Sequence, residues 1–244
     1  MKQTIDAIPL GNLAVAFLPV FVVITIIWYW KLGLKHSIHG VARMLIQLLL
    51  VGYVLTYIFE ADNYWTVLGV LSVMLTVSSW ISLRTTSIPA KKLFFKSFIA
   101  ILCGGGAVLF LVTQGALNLD PWYLPSYMVP LAGMIFANSM NSISLAGERL
   151  EAELSRGLSF EGARNKALNA ALIPITNSLF AVGVVSIPGM MTGQILSGVS
   201  PFIAARYQIM VMCMVFGSTG LSVAFFLYLA RKEFVSSSVV KNEI

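Results

Sequence analysis

Residues 127–166 read YMVPLAGMIFANSMNSISLAGERLEAELSRGLSFEGARNK, and the rest of the chain is best understood outward from them. From Tyr127 to Arg156 the only proline is Pro130, near the start, and Leu150, Leu154 and Leu158 carry a four-residue apolar spacing beyond the apolar run. A helix of about thirty residues rises roughly 45 Å, some 15 Å more than a bilayer's hydrocarbon core. The spacing predicts a helix that leaves the membrane and continues into water. On the extension, Arg149 and Glu153 stand at i,i+4 and Glu153 and Arg156 at i,i+3, pairs that weakly stabilise a solvated helix. Gly157 is placed to end it and Ser159 to cap a second helix, whose first turn holds Glu161 as the helix dipole prefers. That helix returns through Ala163 and Ala167 toward the membrane, where Pro174 removes a backbone donor and is expected to kink it. Residues 148–168 are therefore expected to form a hairpin outside the bilayer.

The surrounding composition fits a membrane-embedded bundle. Of 244 residues, 58% are hydrophobic and 11% charged. Apolar runs of the length a spanning helix needs fall at Leu10–Trp30, Val41–Phe59, Tyr64–Leu83, Phe94–Thr113, Ser126–Ala146, Asn169–Ile187 and Tyr207–Ala230. The expectation is an all-α polytopic bundle of about seven spans in one domain, residues 1–244. The formal charge of +6 sits in short clusters between spans, the pattern that sets orientation in a membrane rather than one that grips nucleic acid. Lys31, Lys35 and Arg43 follow span one; Arg84, Lys91, Lys92 and Lys96 follow span three; Arg149, Arg156, Arg164 and Lys166 follow span five; Arg231, Lys232 and Lys241 follow span seven. The opposite connections hold Glu60, Asp62 and Asp120, with no Lys or Arg until Arg206. This alternation predicts an outer N-terminus and a cytoplasmic C-terminus. Trp65, Trp122, Tyr123 and Tyr127 then lie at the outer interface as aromatic anchors. Lys2 is the sole early positive charge and no small-residue cleavage site follows it, so the first span is expected to be retained. Cys103 and Cys213 lie in apolar runs without a CxxC partner and are expected to be buried small hydrophobes.

Energetics narrows the function. No GxxxxGK[ST] phosphate loop is present, since Gly104, Gly105 and Gly106 lie mid-span without a following lysine. No Asp or Glu lies at bilayer depth, where ion-driven carriers place such groups. Uphill transport by this chain would need work supplied by a partner, and the hairpin is the element exposed to receive it. Its candidate coupling residues are Glu151, Glu153, Arg156, Gly157, Leu158, Ser159 and Glu161.

Polar groups within spans mark either a hydrogen-bonding seam or a translocation path. Asn138, Asn141 and Ser142 stand at i, i+3 and i+4, with Met134 one turn before Asn138. Gln47 follows Arg43 by four residues, so the two can meet near the cytoplasmic end of span two. Near the outer leaflet, Ser186 to Gln194 breaks helix regularity with Pro188, Gly189 and Gly193. It is expected to be an outer gate, a surface helix or a re-entrant turn. Pro174, Pro188, Gly189 and Gly193 are the hinge candidates. Met190, Met191 and Gln194 complete the path candidates, although methionine sulfur suits soft ions better than ferrous iron and these two Met residues are expected to serve as adaptable packing more than as metal ligands. His36 and His39 have no nearby Cys or carboxylate and are read as interfacial residues. No Ser-His-Asp, Cys-His or paired-carboxylate arrangement supports an enzyme.

Several stretches resemble the FetB-type permeases, the membrane subunits of bacterial ATP-binding-cassette iron exporters, which are related to plant aluminium-tolerance membrane proteins. They are ARMLIQL at residues 42–48 with VGYVL at 51–55, PLAGMI at 130–135 with Asn138, ALIP at 171–174, VVSIPGMMTG at 184–193, and YQIMV at 207–211. The similarity covers nearly the whole chain. It implies a permease of the bacterial inner membrane that binds no cofactor itself and pairs, as a homodimer, with a soluble ATPase carrying ATP and Mg. It implies iron as substrate for bacterial members, with UDP-glucose as the alternative from plant relatives. A weaker likeness to the EAA loop of importer permeases rests on Glu151-Ala152 before Gly157, with Pro174 four residues late. An ATPase-independent channel or carrier, and a scaffold that recruits an ATPase without transport, are the readings from other classes.

Overall fold

In the computed structural model, residues 8–60 and 63–242 are described. Lys2 and Asp62 lie outside them, as do the side chains of His36 and Lys241. The chain divides into two compact units, Met1–Asp62 and Asn63–Ile244.

The first unit is built from α1 (Leu10–Val15), α2 (Leu18–Tyr29) and α3 (Leu34–Phe59). Pro19 occupies the first turn of α2, where its missing N–H costs no hydrogen bond. Beyond Tyr29 the helix stops as Lys31 turns to a left-handed φ of 54°. α3 begins one and a half to two turns earlier than the predicted span, taking in His36 and His39. No side chain of α2 is buried and most are exposed, which suits a helix solvated by lipid.

The second unit contains α4 (Tyr64–Ile81), α5 (Ala90–Ile101), α6 (Ala107–Phe110), α7 (Pro125–Ser155), α8 (Phe160–Ala181), α9 (Gly189–Leu196), α10 (Pro201–Leu229) and α11 (Arg231–Asn242). Two π-helical segments, Leu102–Gly106 and Leu111–Ala116, bracket α6 and make one continuous helical passage of Ala90–Ala116. Among the described residues there is no strand, only an isolated bridge between Val182 and Ser186. α7 is the central helix, packed on α4, α5, α8, α10 and α11. Ile135, Ile143, Ala146 and Leu150 on α7 are fully buried together with Ala163, Ala167 and Ala171 on α8. Alanine at every fourth position of α8 lets its backbone approach α7 closely, as small residues do between membrane helices.

The glycine run at residues 104–106 serves packing. A Cβ on Gly104 would stand 2.5 Å from the backbone nitrogen of Ser222 on α10, so the two helices touch main chain to main chain. Gly147 admits Thr86 in the same way, its Cβ position lying 2.7 Å from the threonine methyl. That contact seats the α4–α5 connection on α7.

Five helical segments are long and apolar enough to cross a membrane: Gly11–Tyr29, Ser37–Phe59, Tyr64–Ile81, Ala90–Ala116 and Pro201–Leu229. α7 and α8, expected as spans five and six, are not among them. Asn138, Asn141 and several serines dilute the apolar part of α7, and α8 carries Glu161, Arg164, Lys166 and three asparagines. α7 packs against several helices, so protein replaces lipid around its polar residues, whereas the charged residues of α8 are exposed.

Other boundaries shift as well. The sixth run ends at Ala181 instead of Ile187, because Gly183 takes a φ of +81° and the amides of Val185 and Ser186 fold back onto the Ala181 carbonyl at 2.8 and 3.1 Å. The seventh begins at Pro201, capped by Ser200, well before Tyr207. α8 continues through Pro174 without interruption. Cys103 and Cys213 are exposed and unbridged, contrary to the expected burial, because each faces away from the packed side of its helix.

Candidate functional site

The α7–α8 hairpin is closed by local chemistry. At the end of α7 the amide of Gly157 donates to the carbonyl of Leu154 at 3.0 Å, and that of Leu158 donates to Glu153 at 3.3 Å. These two bonds form the Schellman pattern, which requires a left-handed residue after the helix. Gly157 supplies it with a φ of +84°. Ser159 then caps α8, its Oγ accepting from the Gly162 amide at 3.3 Å, and Glu161 lies in the first turn. Leu158 folds inward and packs on the core, while Gly157, Ser159 and Glu161 are exposed.

Below the tip lies a charged clasp. Glu153 is 1% exposed, and its carboxylate receives Arg149 Nη2 at 2.6 Å, Arg156 Nη1 at 3.1 Å and Lys166 Nζ at 3.2 Å. The hydrogen bond from Lys166, together with the charges of Arg149, Lys166 and Arg156, holds its carboxyl below the usual carboxylate range against the opposing effect of burial. The expected surface pairs thus converge on one buried carboxylate while their three cations remain exposed to solvent, and the partner missing from the local spacing is Lys166 on α8. A carboxylate removed from water needs such charge-assisted partners.

Glu151 is engaged differently. Its carboxylate accepts from the Ser87 amide at 2.9 Å and from the Ser87 hydroxyl, while Thr85 Oγ1 donates to the Ser144 carbonyl at 2.9 Å. Ser144 Oγ in turn donates to the Ser82 carbonyl at 2.8 Å. The α4–α5 connection is therefore laced along the C-terminal half of α7. α11 joins this end through the Lys96–Glu233 ion pair and through Phe234, which is buried against Phe226 at a ring separation of 6.2 Å. At the opposite end of this unit, Tyr64 lies 6.4 Å from Trp122 and 6.2 Å from Tyr123, ring to ring. The three basic clusters of the second unit thus gather at one end and the aromatic cluster at the other.

The predicted path residues separate. Asn138 Nδ2 donates to the Met134 carbonyl at 2.8 Å, so its amide is engaged within α7. Ser142 is buried, whereas Asn141 is exposed on the opposite side of the stripe. In the first unit, Gln47 turned with its oxygen toward Arg43 accepts from Nε at 2.9 Å and Nη2 at 3.2 Å, the contact anticipated from their spacing. Pro188 caps α9 and Gly189 opens it, so this segment forms a short helix of eight residues. Within α9, Met190 packs against the core, Met191 and Gly193 are half-buried, and Gln194 Oε1 is buried without a hydrogen-bond partner. Among the described residues no group of three His, Cys, Asp or Glu side chains could hold a metal ion.

The family model of the Uncharacterised protein family (UPF0014) matches residues 10–235. Over 243 residues, 93% of this chain and 92% of the relative, the sequence is 36% identical to the "Probable iron export permease protein FetB" of Escherichia coli. It is 36% identical over 197 residues to the UPF0014 membrane protein slr1647 of Synechocystis, covering 74% of this chain and 75% of that protein. The "Protein ALUMINUM SENSITIVE 3" of Arabidopsis thaliana is 29% identical over 242 residues, 92% of this chain and 87% of its own. No solved structure matches.

Proposed function

We propose, from the premise that the chain belongs to the UPF0014 family and is a multi-pass membrane protein, that it is the permease subunit of an ATP-binding-cassette exporter in the bacterial inner membrane. Seven helices cross the bilayer, α7 and α8 included, with the basic end cytoplasmic. A soluble ATPase subunit holding ATP and Mg docks on the α7–α8 hairpin, and two permease chains form the membrane core. Iron is the substrate, an assignment that rests on the printed name of the Escherichia coli relative.

The observation that carries the coupling role is the Glu153 clasp. It fastens the two hairpin arms together, so displacement of the exposed tip moves α7, which packs on four other helices and the C-terminal one. Glu161 and the backbone around Gly157 are the parts of the tip left open for contact, while Glu151 and Glu153 stiffen the arms behind it. Asn141 and the outer α9 segment are the retained path candidates, with Pro174, Pro188, Gly189 and Gly193 at the points where the backbone can flex.

Co-purification with the soluble ATPase tests this reading. Wild-type chain should retain the ATPase, and replacement of residues 156–160 by a Gly/Ser turn should release it. Retention after that replacement would remove the hairpin as the docking element. A cysteine placed at Gly157 should react with an impermeant thiol reagent only after the cytoplasmic face is opened. Substrate flux in liposomes containing this chain alone would favour an ATPase-independent channel or carrier instead.

A further inference from the structure

Buried hydroxyls in α4, α5 and the Leu111–Ala116 segment are all bonded. Ser78 and Ser79 donate to the Leu75 carbonyl at 2.9 and 2.7 Å, Ser82 and Ser97 share a bond of 2.7 Å, and Thr113 donates to the Leu109 carbonyl at 2.9 Å. Ser139 on α7 and Thr219 and Ser222 on α10 differ. All three are fully buried, and their hydroxyl oxygens have no hydrogen-bond partner among the described residues. Ser218 donates to the Val215 carbonyl at 3.1 Å, so the acceptor one turn before Thr219 is already taken. The three orphans stand within a helical turn of one place, the π-helical segment Leu102–Gly106. A Cβ on Gly104 would lie 2.8 Å from Ser222 Oγ, and one on Gly105 would lie 2.7 Å from an Ile135 methyl. Ser139 follows Ile135 by one turn on the buried face of α7, and Thr219 precedes Ser222 by one turn on α10. The segment itself falls near the middle of the Ala90–Ala116 passage.

We propose that this junction of α7, α10 and the glycine segment is a closed gate, a seam that parts to admit water during the working cycle. The inference rests on the transporter reading and adds where the route closes. A hydroxyl buried without a partner retains its full desolvation cost, which contact with water removes. Separation of α10 from the glycine segment would wet all three groups together, so the closed packing is opposed by side chains that the open form satisfies. Hydroxyls serving as interhelical glue would instead be bonded across the seam, as Ser82 and Ser97 are. The facing surfaces are small, Gly104 against Ser222, and can part without withdrawing a large side chain. A π-helical turn is uncommon and often marks a functional position.

Two measurements on the full-length chain test the gate. Removing the hydroxyls as S139A/S222A should raise the thermal transition in detergent by about 2–8 °C, because the closed form loses two unpaired groups. An unchanged or lowered transition would show that the hydroxyls hold the helices together, and would overturn the proposal. In native membranes, with Cys103 and Cys213 replaced by serine, S222C should react with a small water-soluble methanethiosulfonate roughly ten-fold faster than A171C. Ala171 is the comparison because it is fully buried on α8, outside this junction. Equal protection of the two cysteines, with co-purification of the ATPase intact, would overturn the gate alone. Fast S222C labelling in a chain that never retains an ATPase would support the gate and overturn the coupling reading instead.

Discussion

Lys166 Nζ lies 3.2 Å from Glu153 Oε2, joining the inward arm of the hairpin to the outward one across a turn of 13 residues. Arg149 on α7 and Arg156 at its C-cap approach the other carboxylate oxygen. One buried acid therefore organises three cations that would otherwise repel, and the two arms behave as one body.

Removing the acid should undo this. Glu153→Gln is expected to lower the thermal transition of the purified protein and to expose residues 150–166 to limited proteolysis, because three cations would then face one neutral amide. Glu153→Gln/Lys166→Gln should recover part of the loss, the coupling that a double-mutant cycle reads as shared energy. Equal, additive losses would show that the pair does not act together.

Acid should loosen the same clasp. Glu153 is held below the ordinary carboxylate range chiefly by the Lys166 hydrogen bond, so its contribution is complete above about pH 4.3, the usual glutamate value. It declines as pH falls through the depressed value in the folded protein. Hydrogen-exchange protection in the hairpin, taken relative to the intrinsic rate at each pH, should fall over that acidic window in wild type. Glu153→Gln should flatten the dependence, and an unchanged profile would assign it to another group.

Close approach of α10 to the glycine run makes a second, independent prediction. Gly104→Ala places a methyl 2.5 Å from the Ser222 nitrogen and should destabilise by about 1–3 kcal/mol, as overpacking does. Gly106→Ala meets nothing nearer than a Leu102 methyl at 3.7 Å and should be tolerated. Thermal denaturation of the two variants in one detergent compares them directly; equal stability would mean that the helices do not pack this tightly.

Loss of the protein should raise cellular iron when the metal is in excess, if iron is the cargo. Elemental analysis of deletion and complemented strains measures this. Unaltered metal content would redirect the substrate assignment and leave the hairpin's coupling role standing.

Legibility followed the range of the interactions. Gly157 and Ser159 were readable because a helix terminus is decided by residues within one turn, and both act as their positions predict. The span boundaries near Ile187 and Tyr207 were not, since hydropathy is continuous across Val184 and Val185 although the backbone turns at Gly183. Glu151 shows the same limit in the site: its Ser87 partner is 64 residues away, a separation no helical period encodes.

By itself the sequence determined that this is a membrane-embedded helical protein, where its basic clusters fall, and where a hairpin must turn, because apolar length, charge and capping act over a few residues. Only the tertiary structure decided that Glu153 is buried under three cations, that Gly104 receives Ser222, and that α7 is enclosed. Each depends on surfaces from distant segments meeting, and a side chain is costly or favourable there according to what the other segment brings.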